Sequence, residues 1–172
     1  MSKTFTFAMG EFDAEFPTHF LYNKNHMWAL PSVAPGQEIS GDASQSSAET
    51  KLRFRFGLTA YAVRLLQDVY FLEWIVEPPA TLTSRMTIGS IESKKAESDL
   101  FSPIAGTLTA INDNVLQDPS LINADPYGAG WMIEIETTPE EASELMSSEQ
   151  YAEHLIEAWQ VAQRTIKGQA NT

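Results

Sequence analysis

The 172-residue chain contains no cysteine, and this absence excludes disulfides, thiolate catalysis and cysteine-ligated zinc or iron–sulfur sites. Histidine is scarce, and His19, His26 and His154 show no local metal-binding spacing such as i and i+4. Nucleophile or metalloprotease motifs of the GxSxG and HExxH kinds do not occur. We therefore predict neither a metal site nor a catalytic residue.

Basic residues are few, since 11 Lys and Arg stand against 23 Asp and Glu and give a net charge of −12. This charge repels phosphate backbones and anionic lipids, so we predict no nucleic-acid partner and no membrane partner. No apolar run approaches the roughly 20 residues that a membrane-spanning helix needs. Residues 1–20 include acids and do not resemble a secretory signal, which predicts a cytoplasmic protein.

Short strands separated by turns dominate the pattern of the chain. Alternating and aromatic segments predict a hairpin within Phe20–Leu30 and then strands at Lys51–Phe56, Tyr70–Val76, Met86–Ile91, Phe101–Ile104, Gly106–Ile111 and Trp131–Ile135. Residues 32–50 have almost no large apolar side chains and predict an exposed loop. Many short strands with frequent turns favour a small barrel or sandwich.

Helices are predicted in two places. Thr59 is a capping residue before apolar residues at helical spacing in Ala60–Val69, which predicts a short internal helix. Thr138, with Pro139 behind it, marks the start of a C-terminal helical part. An apolar stripe follows there, made of Tyr151, Leu155, Trp159, Ala162 and Ile166. We predict a mainly β domain over residues 1–136 and a C-terminal helical segment over residues 137–172 packed on it.

A polar turn with two adjacent lysines, Lys94 and Lys95, is predicted within Ser90–Asp99, between two apolar strands. The segment Glu92–Gly106 resembles the ESVKAASDLYSPVSG signature of the glycine cleavage system H protein family, without a gap. Three further motifs follow the family's order. They are Tyr22–Trp28, similar to YTKEHEW, Gly57–Ala62, similar to GITDYAQ, and Asp118–Trp131, similar to SPELVNEDPYGEGW.

This resemblance implies a non-catalytic lipoyl carrier with the barrel-sandwich hybrid fold of lipoyl and biotinyl domains. In the family the lysine of ESVKA carries lipoic acid in amide linkage, and that lysine is Lys95 here. The resemblance also implies that the modifying enzyme recognises residues around Lys95, namely Glu92, Ser93, Ala96 and Asp99. The family also shelters the loaded arm in a groove, to which His26 and Trp28 are candidate contributors, although either side chain could instead complete the core.

The partners that the resemblance implies are glycine decarboxylase, aminomethyltransferase, dihydrolipoamide dehydrogenase and a lipoyl ligase or transferase. Between Lys95 and Arg164 the chain has 68 residues with no Lys or Arg and 13 Asp or Glu. Such an acidic surface suits fast electrostatic docking, but it also suits solubility, and the sequence leaves both explanations open.

Three departures from the family pattern keep other functions in view. Lys94 replaces the family's Val, residues 77–85 lack the PEVGD pattern, and the segment 32–50 is longer than in an ordinary H protein. One alternative is a specialised H-like lipoate-binding protein of another pathway, such as bacterial sulfur oxidation. The other is an unmodified interaction module, since a fold alone does not fix a function.

Overall fold

The structure is a computed structural model that describes residues 3–32 and 51–170, the last six of these by their backbone. The predicted loop at 32–50 lies, apart from Ser32, outside the described residues. Within the described ranges the strands and helices follow in the order β1 (Thr4–Met9), β2 (Phe12–Pro17), β3 (Leu21–Tyr22), β4 (Met27–Pro31), β5 (Leu52–Leu58), α1 (Ala60–Leu66), β6 (Val69–Trp74), β7 (Ala80–Leu82), β8 (Thr87–Ser93), β9 (Glu97–Phe101), β10 (Gly106–Ile111), α2 (Asp113–Gln117), α3 (Leu121–Ala124), β11 (Ile133–Thr137), α4 (Pro139–Ala142) and α5 (Ser148–Ala170).

The strands form three antiparallel sheets, as the prediction of a mainly β fold requires. The six-stranded sheet has the order β3-β4-β5-β11-β10-β7, the three-stranded sheet has the order β6-β8-β9, and β1 pairs with β2. The two larger sheets share one apolar core, to which Phe56 and Ile135 come from one sheet and Leu72 and Ile91 from the other. We call this cluster the first core.

Strand β5 shows why the sequence folds this way locally. Phe54 and Phe56 are buried, whereas Arg53 and Arg55 point to the opposite face, as the strict alternation of this segment predicts. Arg53 pairs with Glu136 on the neighbouring strand β11 at 3.1 Å. The half-buried strand expected from the sequence is therefore confirmed.

A second cluster, rich in aromatic side chains, lies apart from the first, and we call it the aromatic core. It joins β1 and β2 to α1 and α5 and contains Met9, Ala14, Phe16, Phe20, Tyr22, Trp28, Tyr61, Tyr151 and Leu155. The rings of Tyr22 and Tyr151 stack with their centroids 4.5 Å apart. Through Tyr151 and Leu155 the C-terminal stripe thus contacts the N-terminal hairpin β1–β2, while the division of the chain at residue 136 stays a prediction.

The predicted helix starts are confirmed by their capping hydrogen bonds. The Thr59 side chain accepts from the Ala62 amide, and the Thr138 side chain accepts from the Glu141 amide. Ahead of α5, the Gln150 amide donates to Ser147 Oγ and the Ser147 amide donates to Gln150 Oε1. This reciprocal pair is a capping box, and it fixes where the long helix begins.

One predicted strand is wrong. The sequence predicts a strand over Phe101–Ile104, but β9 ends at Phe101 and begins instead at Glu97. Pro103 has no amide to donate to a neighbouring strand, and Ser102 Oγ donates to the Ile104 carbonyl at 2.7 Å to close a local turn. The strand therefore begins within the segment predicted as a polar turn, Ser90–Asp99, which shortens that turn.

Candidate functional site

The two adjacent lysines stand at the end of the hairpin β8–β9, which we call the lysine hairpin. Strand β8 ends at Ser93 and β9 starts at Glu97, so only Lys94, Lys95 and Ala96 lie between the strands. All three are exposed. Behind them, Ile91 and Leu100 are buried in the first core, and this anchors both strands of the hairpin.

Ser93 closes this turn from inside. Its amide donates to the Ala96 carbonyl at 2.8 Å, and its Oγ accepts from the Ala96 amide at 3.1 Å and from the Lys95 amide at 3.3 Å. The residue is 4% exposed and is one of few buried polar residues. A single side chain therefore defines the conformation of the segment Ser93–Ala96, which we call the lysine turn.

The lysine turn is also bound to the body of the protein. The Lys94 amide donates to the Asp68 carbonyl at 2.8 Å. Asn123 on α3 holds the residues on both sides of Asp68, since its Nδ2 donates to the Gln67 carbonyl at 2.6 Å and its Oδ1 accepts from the Val69 amide at 2.9 Å. Sequence reasoning missed Asp68 and Asn123, and the only signal was the position of Asn123 inside the fourth family-like motif.

Of the candidate recognition residues, Glu92, Ser93 and Asp99 lie on strands, whereas Ala96 lies in the lysine turn. Glu92 pairs with Glu97 across the hairpin, and Asp99 pairs with Ser90. Paired residues of an antiparallel ladder project to the same face, so these carboxylates share the outer face of the three-stranded sheet. Glu92 is half-buried and Asp99 is exposed, whereas Ser93 serves the lysine turn from inside.

The two arm-groove candidates lie at the aromatic core. Trp28 is 1% exposed within the aromatic core, and its Nε1 donates to the Pro126 carbonyl at 2.8 Å. His26 is half-buried and adopts a left-handed conformation with φ of 67°. Trp28 thus belongs to the aromatic core, whereas the buried residues of the lysine hairpin belong to the first core, and the arm groove stays a prediction.

A hydrogen-bonded chain surrounds His26. Its Nδ1 lies 2.8 Å from the Tyr151 hydroxyl, which lies 2.9 Å from Thr59 Oγ1. Burial, together with the neighbouring His154, lowers the pKa of His26 to about 3. Burial also raises the pKa of Tyr151 well above its usual value. At neutral pH both groups are uncharged, so this chain of hydrogen bonds is a neutral structural network.

The structure describes the side chains of residues 3–32 and 51–164. In that part of the chain no group of three or more histidine, aspartate or glutamate side chains is placed to hold a metal ion. His154 Nε2 lies 3.1 Å from the Lys24 carbonyl, which gives that ring a structural contact.

None of the described helices is both long enough and apolar enough to span a membrane.

Comparison with known proteins places this geometry among glycine cleavage H proteins. The family model described as glycine cleavage H-protein matches residues 45–158. The glycine cleavage system H protein of Corynebacterium aurimucosum is 37% identical over 139 residues, covering 81% of this chain and 95% of that protein. The H protein of Mycobacterium avium is 39% identical over 149 residues, covering 84% of this chain and 99% of its own length.

A solved structure agrees with the sequence comparison. The crystal structure of a glycine cleavage system H protein from Mycobacterium marinum matches with a TM-score of 0.61 at 31% identity, covering 80% of this chain and 96% of that one. The predicted barrel-sandwich hybrid is thereby confirmed, with two sheets packed over the first core.

Proposed function

The chain belongs to the glycine cleavage H-protein family, and on this premise we propose that it carries lipoic acid in amide linkage on Lys95. The protein is a lipoyl carrier of the glycine cleavage system. The relatives found by comparison bear the name of that system, and this favours glycine cleavage over the specialised sulfur-oxidation carrier considered from the sequence.

The observation that supports the attachment site is the placement of Lys95 in an exposed turn between two anchored strands. Its ε-amine attacks the carboxyl carbon of an activated lipoyl group delivered by a ligase or transferase. A C–N bond forms, and the activating group and a proton leave. The amide removes the lysine charge and adds a flexible chain ending in a dithiolane, which supplies the redox chemistry.

We propose that the acidic residues of the lysine hairpin are read by the modifying enzyme. Glu92 and Glu97 face each other directly, and like charges in that position weaken a hairpin. Their placement beside the lysines is therefore better explained by binding than by stability. Ala96 is a small, exposed residue next to Lys95, and Asp99 extends the same acidic face.

The wider reaction cycle is proposed in the same way. The chain itself supplies no catalytic group. Glycine decarboxylase loads an aminomethyl group onto the arm, aminomethyltransferase removes it, and dihydrolipoamide dehydrogenase restores the disulfide. Of the two arm-groove candidates, only the half-buried His26 has exposed surface that the arm could contact. Trp28 is buried and would contribute by packing inside the aromatic core.

The experiment that tests this proposal compares the wild-type chain, Lys95→Arg and the matched control Lys94→Arg, each coexpressed with a lipoyl ligase in the presence of lipoate. Lys95→Arg should lose the lipoyl mass increment, because a protonated guanidinium does not form the amide. Its free energy of unfolding should change by less than about 0.5 kcal/mol, since the residue is exposed. Intact mass and urea denaturation give the two measurements.

Two results would contradict the proposal. A lipoyl increment that survives in Lys95→Arg and disappears in Lys94→Arg would assign the arm to the other lysine. A wild-type chain that stays unmodified while a control lipoyl domain is modified in the same cells would favour the unmodified interaction module.

A further inference from the structure

Two neighbouring amines occupy the lysine turn, yet a carrier with one arm must present one of them to its modifying enzyme. We propose that a tether selects Lys95 as the modified residue by holding Lys94 against the body of the protein. The tether consists of the hydrogen bond from the Lys94 amide to the Asp68 carbonyl and of the bonds by which Asn123 holds Gln67 and Val69, the neighbours of Asp68. This inference rests on the proposed attachment of lipoic acid. It assigns Asn123 as a positioning residue for a reaction that occurs at a different residue.

The backbone contacts distinguish the two lysines. The Lys94 amide donates to the Asp68 carbonyl at 2.8 Å, outside the lysine turn. The Lys95 amide donates only within the turn, at 3.3 Å to Ser93 Oγ. Lys94 is therefore fixed to the adjoining segment, whereas Lys95 stands at the free apex, where an enzyme reaches the amine without contacting that segment.

Asn123 sets the position of the carbonyl that holds Lys94. Its amide group accepts from Val69 and donates to Gln67, so it brackets Asp68 from both sides. Gln67 has a φ of 60°, a conformation that costs a non-glycine residue free energy and persists only where other contacts impose it. The Asn123 side chain is one such contact, and it comes from a separate element, α3.

Register explains why this support selects one lysine. A shift of the hairpin by one residue exchanges the faces on which its side chains lie. In this lysine turn the same shift would put Lys94 where Lys95 now stands. In the shifted register Glu92 would take the place of Ser93, whose hydroxyl accepts from the Lys95 and Ala96 amides. The tether holds the turn against the body of the protein beside that hydroxyl, and so supports the register that presents Lys95.

The test measures where the lipoyl group is attached. Wild type, Asn123→Ala and Asn123→Asp are lipoylated by a ligase and digested with a glutamate-specific protease, which releases the peptide Ser93–Glu97. Fragmentation of this peptide separates lipoyl-Lys94 from lipoyl-Lys95. Asn114→Ala is the matched control, because Asn114 is an exposed asparagine on the neighbouring helix α2.

We expect modification of Lys95 alone in wild type and in Asn114→Ala. Asn123→Ala should increase the share of lipoyl-Lys94 at least fivefold. The share of lipoyl-Lys94 in Asn123→Asp should lie between those of wild type and Asn123→Ala, because the aspartate keeps the acceptor for the Val69 amide and loses the donor to the Gln67 carbonyl. If a folded Asn123→Ala protein is modified at Lys95 alone, whatever the rate of lipoylation, the proposal is overturned. A purely structural role of Asn123 would slow lipoylation without changing which lysine is modified.

A measurement on the wild-type chain covers the case in which both Asn123 variants unfold. Hydrogen exchange followed by NMR should show the Lys94 amide exchanging at least tenfold more slowly than the Lys95 amide. Equal exchange rates would overturn the tether. Wild-type protein with no lipoyl group on either lysine would instead refute the proposed function, so the two failures remain distinguishable.

Discussion

His26 shows at the scale of one residue how burial decides protonation. Its ring lies between Tyr61 and His154, with centroids 4.4 Å and 5.4 Å away, and shares a hydrogen bond with Tyr151. Protonation would place a charge in this apolar setting beside a second imidazole, and so the pKa of His26 falls to about 3. The unfolded chain, in which the ring titrates near 6.5, then binds the proton more readily than the folded chain.

This difference predicts a pH-dependent stability. Between pH 6.5 and about 3 the unfolded state binds more protons at His26, so the free energy of unfolding falls as the pH is lowered through this window. Wild type should lose up to about 2 kcal/mol more between pH 7 and pH 5 than His26→Asn, which removes the titrating ring and tolerates positive φ. Urea denaturation at both pH values measures the loss. Equal losses in the two proteins would contradict the assignment.

At the scale of residues, the sequence allows a role to be proposed only where one local motif carries it. Lys95 and its neighbours lie in one continuous segment that resembles a family signature, so their positions follow from the sequence. Asn123 and Gln67 are 56 residues apart, and no periodicity or spacing joins them. The neutral network of His26, Tyr151 and Thr59 is invisible in the sequence for the same reason.

At the scale of elements, the N-terminal hairpin β1–β2 is held in place by contacts to helices α1 and α5. Phe16 is fully buried, stacks on Phe5 at 4.9 Å and meets Tyr151 of α5 edge-on at 5.6 Å. Arg64 on α1 lies over the ring of Phe12, 4.3 Å from its centroid. An isolated hairpin is marginal in water, so these contacts to two helices supply its stability.

Phe16→Ala should therefore destabilise the protein by about 3–5 kcal/mol, because it removes a buried aromatic side chain and leaves a cavity. Phe101→Ala is the comparison, since Phe101 lies on the lysine hairpin and is 37% exposed, and its loss should be clearly smaller. Urea denaturation gives both values. The folded fraction of Phe16→Ala should still be lipoylated on Lys95, and a loss of that modification would show that the two hairpins are coupled.

The prediction of strands and helices succeeded where the apolar pattern ends at a residue that caps or breaks an element. Strand β10 has the predicted bounds Gly106–Ile111, because alternation ends at the helix-capping Asn112. Helices α2 and α3 have five and four residues, too short for a 3.6-residue period to show. The prediction of a strand near Ile104 failed because it gave the apolar residues more weight than Pro103, which has no amide to donate to a neighbouring strand.

Charge acts at the scale of the whole molecule. The net charge is −12, and 13 acidic residues fall in the stretch without bases between Lys95 and Arg164. Because the outer face of the three-stranded sheet carries some of these acids beside the lysine turn, we expect docking enzymes to meet a negative surface around the proposed arm. Long-range attraction of this kind accelerates association and weakens with salt.

We expect the association rate of the lipoylated chain with glycine decarboxylase to fall as salt is raised from about 20 mM to about 300 mM, with a smaller change in the dissociation rate. The double variant Glu97→Gln with Asp99→Asn should reduce that salt dependence. Glu140→Gln with Glu144→Gln, from the same stretch but near α4, is the matched control. Stopped-flow fluorescence gives the rates. An association rate that does not change with salt would indicate that the acidic surface serves solubility and not docking.

The N-terminal hairpin also offers a handle for such kinetic work. Its turn at Gly10 and Glu11 is exposed, and its buried side belongs to the aromatic core and not to the core beneath the lysine hairpin. Since the chain has no cysteine, Glu11→Cys would create a single thiol for one fluorophore. A dye at this site would report partner encounters from a position that leaves the lysine turn in its native form.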